Sequence, residues 1–176
     1  MKRLENGEGS QSWLGGSESN QPGAASSEVS QFWPLIEGLL RNVERPSRYI
    51  NHEYQVCHKF EADTGYRLAL AYPDTYEIGQ SNQAIALLYE IANGLDGVAA
   101  ERVFLPWVDM IAAMREINLP LTSLESSTPL FDFDLLGITI PHELAATNIL
   151  EILNLAGLPL RAVDRDVTHP LVLGGG

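Results

Sequence analysis

The chain has 176 residues, 45% apolar and 19% charged, with 23 acidic side chains against 11 basic ones and a formal net charge of −12. That length suits one hydrophobic core of ordinary size, and the acidity argues against nucleic-acid binding, because a phosphate backbone requires a cationic footprint. The single cysteine, Cys57, excludes an internal disulfide framework and any multi-cysteine cluster held by this chain alone.

No apolar run approaches the roughly 20 residues that span a bilayer, and the N-terminus lacks the apolar block of a secretory signal. A cytoplasmic chain without membrane contact is expected. Residues 1–28 are rich in Gly, Ser, Asn and Gln and read as a disordered tail, since they bury too little surface to offset their ordering entropy. From Val29 the pattern changes. Val29, Phe32, Trp33, Ile36, Leu39, Leu40 and Val43 recur at helical spacing, and Pro34 suits a first turn. The spacing predicts an amphipathic helix ending near Arg45 and Pro46. Residues 29–65 thus form an N-terminal segment of one helix followed by an irregular strand or hairpin around Tyr54, Val56 and Phe60.

Residues 66–176 alternate strand and helix signals. Arg67–Tyr72 predicts a strand stopped by Pro73-Asp74, and Ile85, Leu88, Ile91, Ala92 and Leu95 mark a helix beginning near Ser81. Strands follow at Arg102–Leu105, Asp132–Ile140, Leu158–Val163 and Leu171–Leu173, with helices at Trp107–Ile117 and Glu143–Ala156. Units of this length imply a doubly wound, flavodoxin- or Rossmann-like α/β domain, its mostly parallel sheet covered by helices on both faces.

Ligands in such sheets bind beyond the carboxyl ends of the strands. This directs attention to residues 73–81, 105–109, 141–148 and 174–176. In the first loop, Asp74 reads as a turn residue making local backbone bonds, with direct chemistry as the alternative, and Glu77 reads as solvated. Gly79 permits close backbone approach, while Ser81 or Asn82 can cap the next helix. The Gly79–Gln83 stretch lacks the second glycine of a nucleophile elbow, which weakens a hydrolase reading. The histidines are His52, His58, His142 and His169, and none has metal-ligand spacing to another or to Cys57. His142, at the end of the best strand, is the one to test, although a role in starting the following helix is the plainer reading. Gly174-Gly175-Gly176 would build a flat backbone surface for a planar ligand or a phosphate.

Together, Leu39–Ile50 (LLRNVERPSRYI), Leu68–Gly79 (LALAYPDTYEIG), Ala100–Met110 (AERVFLPWVDM), Pro120–Ser126 (PLTSLES), Phe131–Asn148 and Leu153–Gly176 resemble a known family. It is the N-terminal region of bacterial radical S-adenosylmethionine (radical SAM) proteins that carry a cobalamin-binding-like domain before the catalytic barrel. The resemblance covers roughly residues 33–176 and rests on YPDTYEIG, ERVFLPW and SLES in combination.

The resemblance implies an accessory cobalamin-binding-like domain, not catalytic alone, whose partner is the radical SAM barrel and whose ligand is a corrinoid or another small molecule. Base-off cobalamin domains carry Asp-x-His-x-x-Gly after the first strand. Asp74 to Gly79 keeps that spacing with Tyr76 in the cobalt-ligating place. Thr139 is the candidate for the family's hydroxyl position, and Gly174 and Gly175 fit its final glycine pair. A neutral phenol is a poor cobalt ligand compared with imidazole, so either cobalamin binds without a protein axial ligand or the domain serves as a scaffold.

Radical SAM chemistry needs a four-iron cluster on three cysteines, and this chain has one. By that resemblance the cluster and S-adenosylmethionine are expected only in a barrel lying beyond Gly176, the chain as given reading as a fragment, a truncated frame or one domain of a longer protein. The alternative from a different class is a ligand-free flavodoxin-like scaffold or interaction module. A phosphoacceptor receiver is excluded, because no lysine follows the last strand. A dinucleotide oxidoreductase is disfavoured, because no Gly-x-Gly-x-x-Gly follows a strand.

Overall fold

The computed structural model describes residues 30–51, 56 and 65–176. The expected disordered tail and most of the expected hairpin around Tyr54 and Phe60 lie outside the described residues. Four strands, β1 (Tyr66–Tyr72), β2 (Val98–Phe104), β3 (Leu135–Thr139) and β4 (Leu171–Gly175), form one sheet in the order β2-β1-β3-β4. Every pairing is parallel, with Tyr72 opposite Phe104, Ala71 opposite Ile138 and Thr139 opposite Gly175. The carboxyl ends of all four strands therefore share one end of the sheet.

The helices are α1 (Trp33–Leu39), α2 (Tyr76–Gln80), α3 (Gln83–Asn93), α4 (Val108–Glu116) and α5 (Ala146–Leu155). Strand alternation sends Leu70 and Tyr72 to one face and Ala69 and Ala71 to the other. The first face packs with Ala100, Phe104, and Ile85 and Ala92 of α3. The second packs with Val103, Leu136 and Ile138 against Ile36, Met110, Met114 and Ile152 of α1, α4 and α5. Two faces are needed because the chain moves from β1 to β2 in one direction and from β2 to β3 and β4 in the other. Right-handed crossovers then place the connecting helices on opposite sides. This is the doubly wound α/β architecture, preceded by a helix.

Several boundaries differ from the sequence expectations. The first α-helix stops at Leu39 and passes into a 3-10 turn over Leu40–Asn42, with a second over Pro46–Tyr49. α3 begins at Gln83 rather than Ser81, because the Asn82 side chain accepts from the amides of Ala84 and Ile85. β2 starts four residues before Arg102. The expected strand at Leu158–Val163 is absent. α5 ends with Gly157 at φ +69, the Leu158 amide donating to Leu153 O at 2.9 Å and the Gly157 amide to Asn154 O at 3.1 Å. That glycine-centred cap buries Leu158, Pro159 has no N–H for a ladder, and a 3-10 turn follows at Ala162–Asp164. α4 ends in the same way through Asn118 at φ +54 and Leu119.

Candidate functional site

The strand order reverses between β1 and β3, so the crevice above their carboxyl ends is the switch point of this sheet. Asn148 on α5 reaches across it, donating from Nδ2 to the Pro73 carbonyl at 2.9 Å. Asp74 is held locally. Its Oδ1 accepts the Thr75 amide at 2.7 Å and its carbonyl accepts the Leu105 amide at 3.0 Å, which is the turn role expected of it.

Across the crevice, Thr139 is half-buried opposite Gly175, and the Ile140 amide donates to Gly175 O at 2.7 Å. The glycines of the last strand differ from one another. A Cβ on Gly174 would meet Ile140 Cδ1 at 3.0 Å, one on Gly176 would lie 2.6 Å from the Ile140 carbonyl oxygen, and one on Gly175 would meet open space. Gly175 is thus the position where the backbone faces an unfilled surface. His142 is exposed and extended just before the 3-10 turn Glu143–Ala145.

Tyr76 and Gly79 do not join this crevice. The loop after Thr75 is helical, forming α2, and the Tyr76 ring stands edge-on to Phe104 with centroids 5.4 Å apart and an interplanar angle of 85°. Any side chain at Gly79 would overlap the Phe104 ring. The six residues singled out from sequence therefore split. Asp74, Thr139, Gly174 and Gly175 stand at the ends of β1, β3 and β4, whereas Tyr76 and Gly79 are packed against the end of β2. An axial bond from Tyr76 to a cobalt ion at the switch point does not fit that packing. Glu77 is also engaged. Against the upward push of partial desolvation, hydrogen bonds from Arg48, its own backbone and Arg45 bring its carboxyl down from 4.5 to about 2.

The residues that sequence reasoning passed over form a polar seam. Arg102 donates to Glu125 from its amide at 2.7 Å and from Nε at 2.6 Å, and the Leu124 amide donates to Arg102 O at 2.8 Å. Next to it, the Glu101 carboxylate accepts Ser126 Oγ at 2.6 Å and Arg67 at 3.1 Å. The SLES segment thus covers the outer edge of β2, and the ERVFLPW and SLES motifs are two halves of one structure. Burial pushes the Glu125 carboxyl up from 4.5 to about 7, against the opposite pull of Arg102. A charge pair inside an otherwise apolar strand, Glu101-Arg102, was the available signal.

His169 sits in a local turn with Asp166, 2.9 Å from its carboxylate, away from the crevice loops. His52, His58 and Cys57 lie outside the described residues. Among the described residues no three His, Cys, Asp or Glu side chains are placed to hold a metal ion, and no helix is long and apolar enough to cross a membrane.

No curated protein and no solved structure matches the chain. The family described as "Radical SAM proteins, N-terminal" matches residues 84–176, from the start of α3 through β4. That span covers slightly more than half of the sequence, including Thr139, Gly174 and Gly175 and the whole polar seam except Arg67. The chain, a doubly wound domain with that match across three of its four strands, belongs to the N-terminal family of radical SAM proteins.

Proposed function

We propose that this accessory domain of a radical SAM protein presents the carboxyl end of its sheet to the catalytic barrel, and that its switch point carries a corrinoid without an axial ligand from the protein. The observation that supports this reading is the convergence of Thr139 and the open backbone at Gly175 on the β3–β4 side of a crevice whose other side is Pro73 and Asp74. A hydroxyl and a strand end without side chains suit the close approach of a flat macrocycle. The corrinoid supplies the cobalt chemistry when bound. The chain's part is to orient it, with Thr139 as a hydroxyl partner and Gly175 allowing close approach. S-adenosylmethionine and the four-iron cluster belong to the barrel, because this chain offers one thiol.

The packing of Phe104 against Gly79 and Tyr76 favours a second reading, a scaffold that holds no ligand. Titration of the 176-residue chain with hydroxocobalamin separates the two. Saturable spectral change that is weakened by Gly175→Val and unaffected by Tyr76→Phe is expected of the first reading. An unchanged spectrum at saturating protein overturns it and leaves the scaffold. Loss of the change in Tyr76→Phe overturns the absence of axial ligation.

A further inference from the structure

The two faces of the sheet are covered unequally. On one, Leu136 and Ile138 of β3 are 0% and 4% exposed within the core built with α1, α4 and α5. On the other, Leu171 and Leu173 of β4 are 60% and 50% exposed, in register with Leu135 and Gly137 of β3. Among the described residues the helices on this second face are α3 and the short α2, and α3 lies over β2 and β1. Both faces of a parallel sheet are ordinarily buried under helices, so the β3–β4 half of this face has room for one more. β4 stands two strand spacings from β1, about 10 Å, which matches the distance between packed helices.

The wall beside that half is apolar as well. α3 is oriented by Asn93, whose side chain donates to Ala100 O and accepts the Ala100 amide, both at 3.0 Å, and by Tyr89, whose ring lies 4.9 Å from the Arg102 guanidinium. Those contacts turn one flank of the helix toward β2. Ala84, Leu88 and Ile91, four and then three residues apart, line the opposite flank, toward β3 and β4, and Leu87 adjoins them. Leu87, Leu88 and Ile91 are 57%, 47% and 55% exposed. With Leu171 and Leu173 they form a trough that has a helix for its wall and a sheet for its floor. Its apolar surface is a few hundred Å2, the extent that marks an interaction site.

The charges along the trough decide between occupants. Across α3, the turn after it, β3 with the residue before it, and β4, the charged residues are Glu90, Asp96 and Asp134, all exposed and all acidic. The Arg67 amide that Asp134 accepts is neutral and offsets none of this charge. Of the nearby bases, Arg102 is buried against Glu125, and Arg67 pairs with Glu101 on the other face. A second copy would set these acids against themselves. We infer that the trough takes an amphipathic helix of a partner protein, its Leu- or Ile-type stripe against Leu88, Ile91, Leu171 and Leu173 and its flanks lined with Lys or Arg. Apolar contact supplies most of the affinity, and the basic flanks set orientation and partner choice. The trough lies on the face of the sheet, so this inference does not depend on the corrinoid reading.

Fluorescence anisotropy of a labelled Leu–Lys amphipathic peptide, about five helical turns long, titrated with the full chain tests this. Saturable binding at about 0.15 M salt is expected, with a Leu–Glu peptide of the same apolar pattern bound about tenfold more weakly or less. Leu88→Gln with Ile91→Gln, and separately Leu171→Gln with Leu173→Gln, should each weaken the Leu–Lys peptide by about tenfold. Both pairs occupy exposed positions and leave the net charge unchanged, so attraction by charge alone would survive them. Matching urea midpoints confirm that the variants fold. Unchanged affinity in both pairs overturns the trough as the site, and no saturable binding up to about 100 μM overturns it too. Equal affinity for the Leu–Glu peptide overturns the basic flanks. A dimer in sedimentation that Leu88→Gln with Ile91→Gln disperses would give the face to a second copy and overturn the partner helix.

Discussion

The ring of Phe104 at the end of β2 fills the space into which any side chain at Gly79 would project. A glycine that sequence reading assigns to ligand approach is therefore required first by packing between α2 and the sheet. Gly79→Ala is expected to lower stability by about 1–3 kcal/mol, the usual penalty for overfilling a packed contact. Adding Phe104→Leu should recover part of that loss. Urea midpoints of the single and the double variant against the parent measure both effects, and an unchanged midpoint in Gly79→Ala would show that the contact relaxes freely.

Glu125 gives the fold a pH dependence of unusual direction for a carboxylate. Its folded value near 7 lies above its ordinary 4.5, so between those values the folded chain holds a proton that the unfolded chain releases. The stability it contributes is full below about 4.5 and is lost as the pH rises through about 7. Denaturant unfolding from pH 5 to 8 should show stability falling by up to about 1.4 kcal/mol per pH unit between pH 5 and 7 and levelling off above that. Glu125→Gln should flatten the slope. A parent protein that is equally stable at both ends of the range contradicts the assignment.

Asn148 joins α5 to the loop after β1 through the Pro73 carbonyl. Asn148→Leu leaves that buried acceptor without its partner and is expected to cost about 1–3 kcal/mol. The loss should be local in its dynamics. Faster hydrogen exchange at the Leu105 amide, which donates to the neighbouring Asp74 carbonyl, is the expected readout, with β4 amides unaffected. Uniformly faster exchange would assign Asn148 to global stability alone.

Reconstitution of the purified chain with iron and sulfide should yield no stoichiometric four-iron cluster, since three thiolates are needed and one is present. Absorbance and iron content after gel filtration decide this. Stoichiometric iron and sulfide on the chain would show that cysteines of several copies assemble one site.

Much of the architecture was legible because β1 and β3 are short apolar runs bounded by turn residues, and α3 and α5 carry their apolar residues at helical spacing. The start of β2 was hidden by Ala99, Ala100 and Glu101, residues with weak strand preference that are buried here by tertiary contact. Leu158–Val163 misled in the opposite sense. Its apolar residues look like a strand, yet Gly157 and Pro159 turn it into a helix cap. At the candidate site, the local turn at Asp74 could be read from its own sequence. The placement of Tyr76 could not, because a five-residue helix has no periodicity of its own and its direction is set by Phe104, 28 positions away. For the polar seam, the Glu101-Arg102 pair inside an apolar strand was a visible signal, but its partner Glu125, 23 positions away, could not be read from it.

The two margins of the sheet are finished differently. Along β2, the Glu125 carboxylate and the Leu124 amide occupy the outward hydrogen-bonding groups of Arg102. Among the described residues β4 pairs only with β3, and its Leu-Val-Leu-Gly-Gly sequence carries no charge to discourage a neighbour. Among the described residues the sheet is therefore finished on one border only: the outward groups of Arg102 are taken, and the border at Leu171–Gly175 has no such cover.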